Sequence, residues 1–139
     1  NINDDCPNEA GEETFNGCPK MPLSLSIFLN SYSDFFFDFD SFELNQDQIS
    51  NISDLSKILN RYNYIKVNID GHASSEGESE YNMQLSLSRS NSIKNTLIKN
   101  GINDSRLKTR AYGESNPSYP NFPLSERKKN RRVKISVEN

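Results

Sequence analysis

The stretch from Ser79 to Asn100 constrains this chain more than any other. Set on a helical wheel at about 100° per residue, Asn82, Ser86, Arg89 and Ser90 share one stripe with Ile93 and Leu97. The C-terminal half of that stripe is apolar, so the stripe faces a core, and its N-terminal half carries a guanidinium toward the same interior. Burying a guanidinium without a partner costs several kcal/mol of lost hydration. Arg89 therefore has to meet a carboxylate, main-chain carbonyls or an anionic ligand, and Asp38, Asp40 and Asp70 are the internal acids that could serve. Gly101 follows as the expected left-handed cap that ends the helix.

The remaining periodicities supply what this helix packs on. Asp34-Phe35-Phe36-Phe37-Asp38-Phe39 is short, aromatic and bounded by polar residues, which suits a buried strand. Asn45 with Gln48 forms the pattern of a capping box, and Ile49, Ile52, Leu55, Ile58, Leu59 and Tyr62 recur at spacings of three and four, predicting a helix over 46–61. Ile65, Val67 and Ile69 alternate with polar residues as a strand with one buried face. Leu107 to Tyr112 and Arg132 to Val137 read as two further strands, separated by a loop containing Pro117, Pro120 and Pro123. The order strand, helix, strand, helix, strand, strand predicts an α+β domain: a β-α-β-α-β-β sandwich, two main helices packed on one face of a mixed four-stranded sheet.

Charge and cysteines narrow the function classes. Residues 1–20 hold five acids against Lys20, a local charge of −4, so the rest of a chain with net charge −3 carries +1. A nearly neutral body lacks the positive field that backbone binding to nucleic acid needs. The basic run Arg127, Lys128, Lys129, Arg131, Arg132 reads as a solvated charged segment. No run of 18 apolar residues exists, so nothing here is expected to span a bilayer. The chain begins with Asn rather than Met, and an upstream region is expected to hold any signal or anchor. Cys6 and Cys18, each followed by Pro, make a poor zinc site and a reasonable disulfide, worth about 3 kcal/mol in chain-entropy terms. A disulfide implies an oxidising compartment.

Catalytic signatures are missing. His72, the sole histidine, reads as a packed or hydrogen-bonded loop residue. No Ser/His/acid or Cys/His order stands out, and no phosphate-cradling glycine loop is present. Enzymatic chemistry thus has no positive evidence in the sequence, and no cofactor is expected.

Several strings together carry a resemblance. Gly71-His72-Ala73-Ser74-Ser75-Glu76-Gly77 is followed by Tyr81-Asn82, Leu85-Ser86, Arg89-Ser90 and Ile93. Around them stand Phe36-Phe37-Asp38-Phe39-Asp40, Gly101-Ile102, Tyr112-Gly113-Glu114 with Pro117, and Asn130-Arg131-Arg132-Val133. This pattern resembles the OmpA-like C-terminal domain, whose family includes the peptidoglycan-associated lipoprotein and the flagellar stator protein MotB. The resemblance implies non-covalent binding of the diaminopimelate-bearing stem peptide of peptidoglycan, in the periplasm of an outer-membrane protein. It implies that Arg89 fixes a diaminopimelate carboxylate, with neighbouring contacts from Asp38 and Asp40, from His72, Ser74 and Glu76 of the loop leading into the second helix, and from Asn82 and Leu85. Arg131 is implied at the rim of the pocket or in an ion pair.

One position departs from the family pattern. Ser74 stands where the family commonly has Asp, and a hydroxyl cannot pair with an ammonium as a carboxylate does. Glu76 or Asp40 is expected to supply the missing negative charge, or the preferred peptide differs. A different expectation from the same departure is an interaction module of an envelope machine, with other envelope proteins as partners.

The segment Asp4-Asp5-Cys6-Pro7 to Gly17-Cys18-Pro19 resembles the end of a thrombospondin type 3 repeat, a class that binds calcium through Asp-rich loops. Only Asp4 and Asp5 retain that acidic pattern. The expected organisation is a disulfide-pinned linker over 1–22 and the binding domain over 23–139.

Overall fold

In a computed structural model the described residues are 14–15, 18–19, 21–73, 79–112 and 130–138. Cys6, Asp4 and Asp5 lie outside them, as do Ser74 and Glu76, so the expected disulfide, the residual acidic pattern of the linker and the loop contacts expected of Ser74 and Glu76 fall outside the description. Two short strands, β1 (Thr14–Phe15) and β2 (Cys18–Pro19), pair antiparallel as a sheet of their own.

The main sheet has four strands: β3 (Asp34–Phe36), β4 (Val67–Gly71), β5 (Leu107–Ala111) and β6 (Arg132–Val137). Their spatial order is β3-β6-β4-β5. The last strand of the chain thus enters the middle, antiparallel to both β3 and β4, while β4 and β5 are parallel. A parallel pair needs a crossover, and α3 (Ser79–Lys99) supplies it, packing on β4, β5 and β6. The expected α+β architecture on a mixed four-stranded sheet is the one found.

Helix α2 (Gln46–Arg61) has the predicted bounds. Asn45 Oδ1 accepts from the Gln48 amide at 2.8 Å, and Gln48 Oε1 accepts from the Asn45 amide at 3.0 Å. At the other end Arg106 donates to the carbonyls of Leu59, Tyr62 and Ile65. Those are carbonyls that the last turn of a helix and its exit leave without intrahelical donors.

A third helix, α1 (Leu23–Tyr32), was not among the expected elements. Its sequence LSLSIFLNSY alternates Leu with Ser and has no side-chain cap or first-turn acid, so its helical period is weak. Leu25 and Phe28, one turn apart, bury it against the core and hold it by packing rather than propensity.

Leu25, Phe28, Ile52, Leu55, Leu59, Ile69, Ile93, Leu97, Val133 and Ile135 form the centre of one core. Burial of each such side chain contributes about 1.5–3 kcal/mol. The polar outer face of the sheet carries a cross-strand row of alternating charge, Asp34, Lys134, Asp70 and Arg110, in the order given by the register. Arg110 grips Asp70 through Nε at 2.6 Å and Nη2 at 2.8 Å.

The basic run differs from expectation. Arg131 and Arg132 are buried, at 7% and 3% exposure, because β6 is an interior strand and its start is covered on both sides. Residues 127–129 lie outside the described residues.

Candidate functional site

Helix α3 approaches β4 so closely at Gly71 that a side chain would not fit. A Cβ there would lie 2.0 Å from the Ser86 carbonyl oxygen and 2.4 Å from Ser90 Oγ. The absence of a side chain at Gly71 is therefore what brings the polar half of α3 against the C-terminal end of the sheet. Asn82, Ser86, Arg89 and Ser90 are all buried there. Ser86 Oγ donates to the Met83 carbonyl, and Ser90 Oγ donates to the Arg110 carbonyl.

Arg89 is fully buried. Its guanidinium is held by carbonyls: Nε donates to Ser41 at 2.8 Å, Nη1 to His72 at 3.1 Å and Nη2 to Asp38 at 3.2 Å. The Phe37 ring lies 5.5 Å beneath it. Of the partners open to it in sequence, carbonyls are the ones found, and among the described residues no carboxylate lies within ion-pair distance. Asp70 is taken by Arg110. Carbonyl dipoles satisfy donors without cancelling a charge, and each Nη keeps a second N–H. Burial, and then the neighbouring charge of Arg131, push the Arg89 pKa down to about 10, with Asp40 and Tyr81 acting against the fall. That fall corresponds to a penalty on the charged form on the order of 3 kcal/mol, which a bound anion would offset.

The guanidinium also shapes the loop after β3. The Ser41 amide donates to the Asp38 carbonyl, closing a turn over 38–41. Arg89 binds the carbonyls at both ends of this turn. Asp40, at its third position, has φ +57°, a left-handed backbone that Asp tolerates better than most residues. Its carboxylate is exposed and accepts a hydrogen bond from Tyr81 Oη on α3.

The other expected residues that are described lie around this centre. The His72 ring is buried and stacks on Tyr112, with centroids 5.0 Å apart, while its amide donates to the Arg132 carbonyl. Asn82 and Leu85 sit two turns and one turn before Arg89 on the same face, and Leu85 lines an open cleft of about 470 Å³ together with Phe42, Glu80, Tyr81, Gln84 and Ser88. Arg131 donates from Nε to the Phe37 carbonyl and lies 5.9 Å from the Phe39 ring centroid. The Asp38 side chain is exposed, and the contact that residue makes to Arg89 is through its carbonyl. Among the described residues no cluster of His, Cys, Asp or Glu could hold a metal, and no helix is long and apolar enough to cross a membrane.

Sequence reasoning did not assign roles to Ser41, Tyr81 or Tyr112. Main-chain acceptors such as Ser41 leave no trace in residue type. Tyr81 stood in the motif, one residue before Asn82, but its reach across to Asp40 depends on how α3 docks.

Residues 36–131 match the OmpA family. The chain belongs to that family. It is 31% identical over 138 residues to outer membrane porin F of Pseudomonas aeruginosa, covering 97% of this chain and 38% of that protein. It is 33% identical over 113 residues to the peptidoglycan-associated lipoprotein of Mesorhizobium japonicum, covering 80% of this chain and 67% of that one. The C-terminal domain of Helicobacter pylori MotB superposes with a TM-score of 0.70 at 29% identity, covering 76% of this chain and 84% of that structure. The peptidoglycan-associated lipoprotein of Burkholderia pseudomallei shares the fold, with a TM-score of 0.75 at 21% identity over 78% of this chain and 92% of that one. The chain spans about a third of the length of the porin F relatives, 38% and 31% of two of them. The match begins within β3 and ends beside β6, so the OmpA-family region contains Arg89, the 38–41 turn and Arg131 together.

Proposed function

We propose that this OmpA-family domain binds peptidoglycan non-covalently through the diaminopimelate-bearing stem peptide, and so anchors an envelope protein to the cell wall without chemical turnover. The observation that carries the reading is the state of Arg89: a fully buried guanidinium held by three main-chain carbonyls, its charge unmatched by any acid at contact distance among the described residues. Such a group favours a carboxylate guest, because guanidinium and carboxylate form charge-assisted, often bidentate bonds that an ammonium side chain would not reproduce. Diaminopimelate offers that carboxylate beside an ammonium, and Asp40 stands close enough to act on Arg89 electrostatically. With Ser74 neutral, Asp40 or Glu76 takes the ammonium in this reading.

Relatives named for peptidoglycan association support the wall as partner, and a relative named as an outer-membrane porin supports a periplasmic domain tethered to that membrane. A disulfide between Cys6 and Cys18 would suit that oxidising compartment.

Retention of this chain on purified sacculi tests the proposal. The wild-type chain should pellet with sacculi, Arg89→Ala should not, and Asp40→Asn, which leaves every carbonyl contact of Arg89 in place, should pellet less. Calorimetry with free diaminopimelate should give the same ranking. A wild-type chain that stays in the supernatant would refute wall binding and favour a role in contacts between envelope proteins, and release of soluble fragments from the sacculi would refute binding without turnover.

A further inference from the structure

We propose that Tyr81 is a positioning residue for the ligand: its phenol holds the Asp40 carboxylate away from Arg89, so that acid and base stay separately available to a guest carrying both an ammonium and a carboxylate. This inference rests on the stem-peptide reading above and names the residue that sets its charge selectivity.

An acid and a buried guanidinium set near each other attract strongly where water is scarce. Asp40 acts electrostatically on Arg89, yet it makes no ion pair with it. Its carboxylate takes the Tyr81 hydroxyl instead. Two features keep it there. The 38–41 turn is pinned at both ends by Arg89, with Asp40 in left-handed backbone, so the side chain leaves the turn in one fixed direction. Tyr81 lies two helical turns before Arg89 on α3, half exposed at the wall of the 470 Å³ cleft, and from there its hydroxyl donates to Asp40. The phenol pKa is raised, first by the hydrogen bond to Asp40, so the hydroxyl stays a donor throughout the physiological range.

Without the phenol, Asp40 would be free to turn onto the N–H groups of Arg89 that the carbonyls leave over. The acid would then quench the site internally, and a zwitterionic guest would lose both of its partners at once. Tyr81→Phe removes only the hydroxyl, keeping the ring against the cleft.

A double-mutant cycle on calorimetric affinity for free diaminopimelate separates action through Asp40 from direct contact. Tyr81→Phe should weaken binding about tenfold, and should cause no further loss in an Asp40→Asn background. An unchanged affinity, or the same loss in both backgrounds, would overturn the proposal. A ligand-free readout stands beside it: with the tyrosine rings labelled for NMR, Asp40→Asn should lower the Tyr81 phenol pKa while the other tyrosines stay put, Asp40 and Arg89 being the charged groups that act on it and Glu80 its neighbour on the cleft wall. A Tyr81 titration that ignores Asp40→Asn would refute the tether itself. Wild-type chain that binds no diaminopimelate would sink the stem-peptide reading and the selectivity role with it, and the titration alone would then decide whether the tether exists.

Discussion

The two halves of α3 are buried alike and held by opposite means. Ile93 and Leu97 in the C-terminal half and Ser86, Arg89 and Ser90 in the N-terminal half all have 0% exposure. The apolar half needs only volume and shape, since dispersion and the hydrophobic effect are without direction. The polar half needs each donor aimed at a particular carbonyl: Met83 for Ser86, Arg110 for Ser90, and Ser41, His72 and Asp38 for Arg89. One half makes the fold, and the other converts the accuracy of the fold into a charged site.

That contrast can be broken from either side. Leu97→Ala should have the largest effect on stability, about 3–4 kcal/mol of cavity and lost burial, read by urea unfolding, while the folded fraction keeps its hold on sacculi. Gly71→Ala should cost about 3 kcal/mol, because the new methyl meets the Ser86 main chain; here stability and sacculus binding should fall together, since the collision pushes apart the polar half itself. Arg89→Met should cost about 2 kcal/mol: relief from burying the charge offsets part of the loss to three carbonyls that each give up a charged donor, and sacculus retention should vanish although the chain still folds cooperatively. Ser90→Ala, which removes one hydroxyl from the Arg110 carbonyl, should cost about 1 kcal/mol and spare binding. Last and smallest, affinity for an N-blocked diaminopimelate should hold steady to about pH 9 and fall a few-fold as the pH rises through the Arg89 pKa near 10, because a base with a lowered pKa loses its charge, and its anion, earlier than an ordinary arginine. Circular dichroism over the same range would show whether the fold persists, and an affinity flat beyond pH 11 would mean that the carboxylate does not rest on Arg89.

Much of the architecture was legible because local rules agreed with each other. The Asn45–Gln48 capping box set the start of α2, alternation along Val133, Ile135 and Val137 set β6, and Gly101 marked the end of α3. Helix α1 was not legible, since its Leu–Ser alternation imitates a strand and its helical state is imposed by packing of Leu25 and Phe28. Burial of Arg131 and Arg132 was also hidden. Nothing in a run of basic residues says that the strand following it is inserted between two others, and that insertion is what removes them from water.

The amino-acid order alone determined that a guanidinium had to be carried into the interior, because the helical repeat places Arg89 in line with Ile93 and Leu97. It could not name the partner, since carboxylate and carbonyl answer the same electrostatic need and only one of them is written in side chains. Tertiary structure decided for carbonyls: pairing β6 with both β3 and β4, and closing α3 onto Gly71, brings three stretches of main chain around one charge. Distances across a fold are set by how surfaces dock, and no periodicity along a chain encodes them.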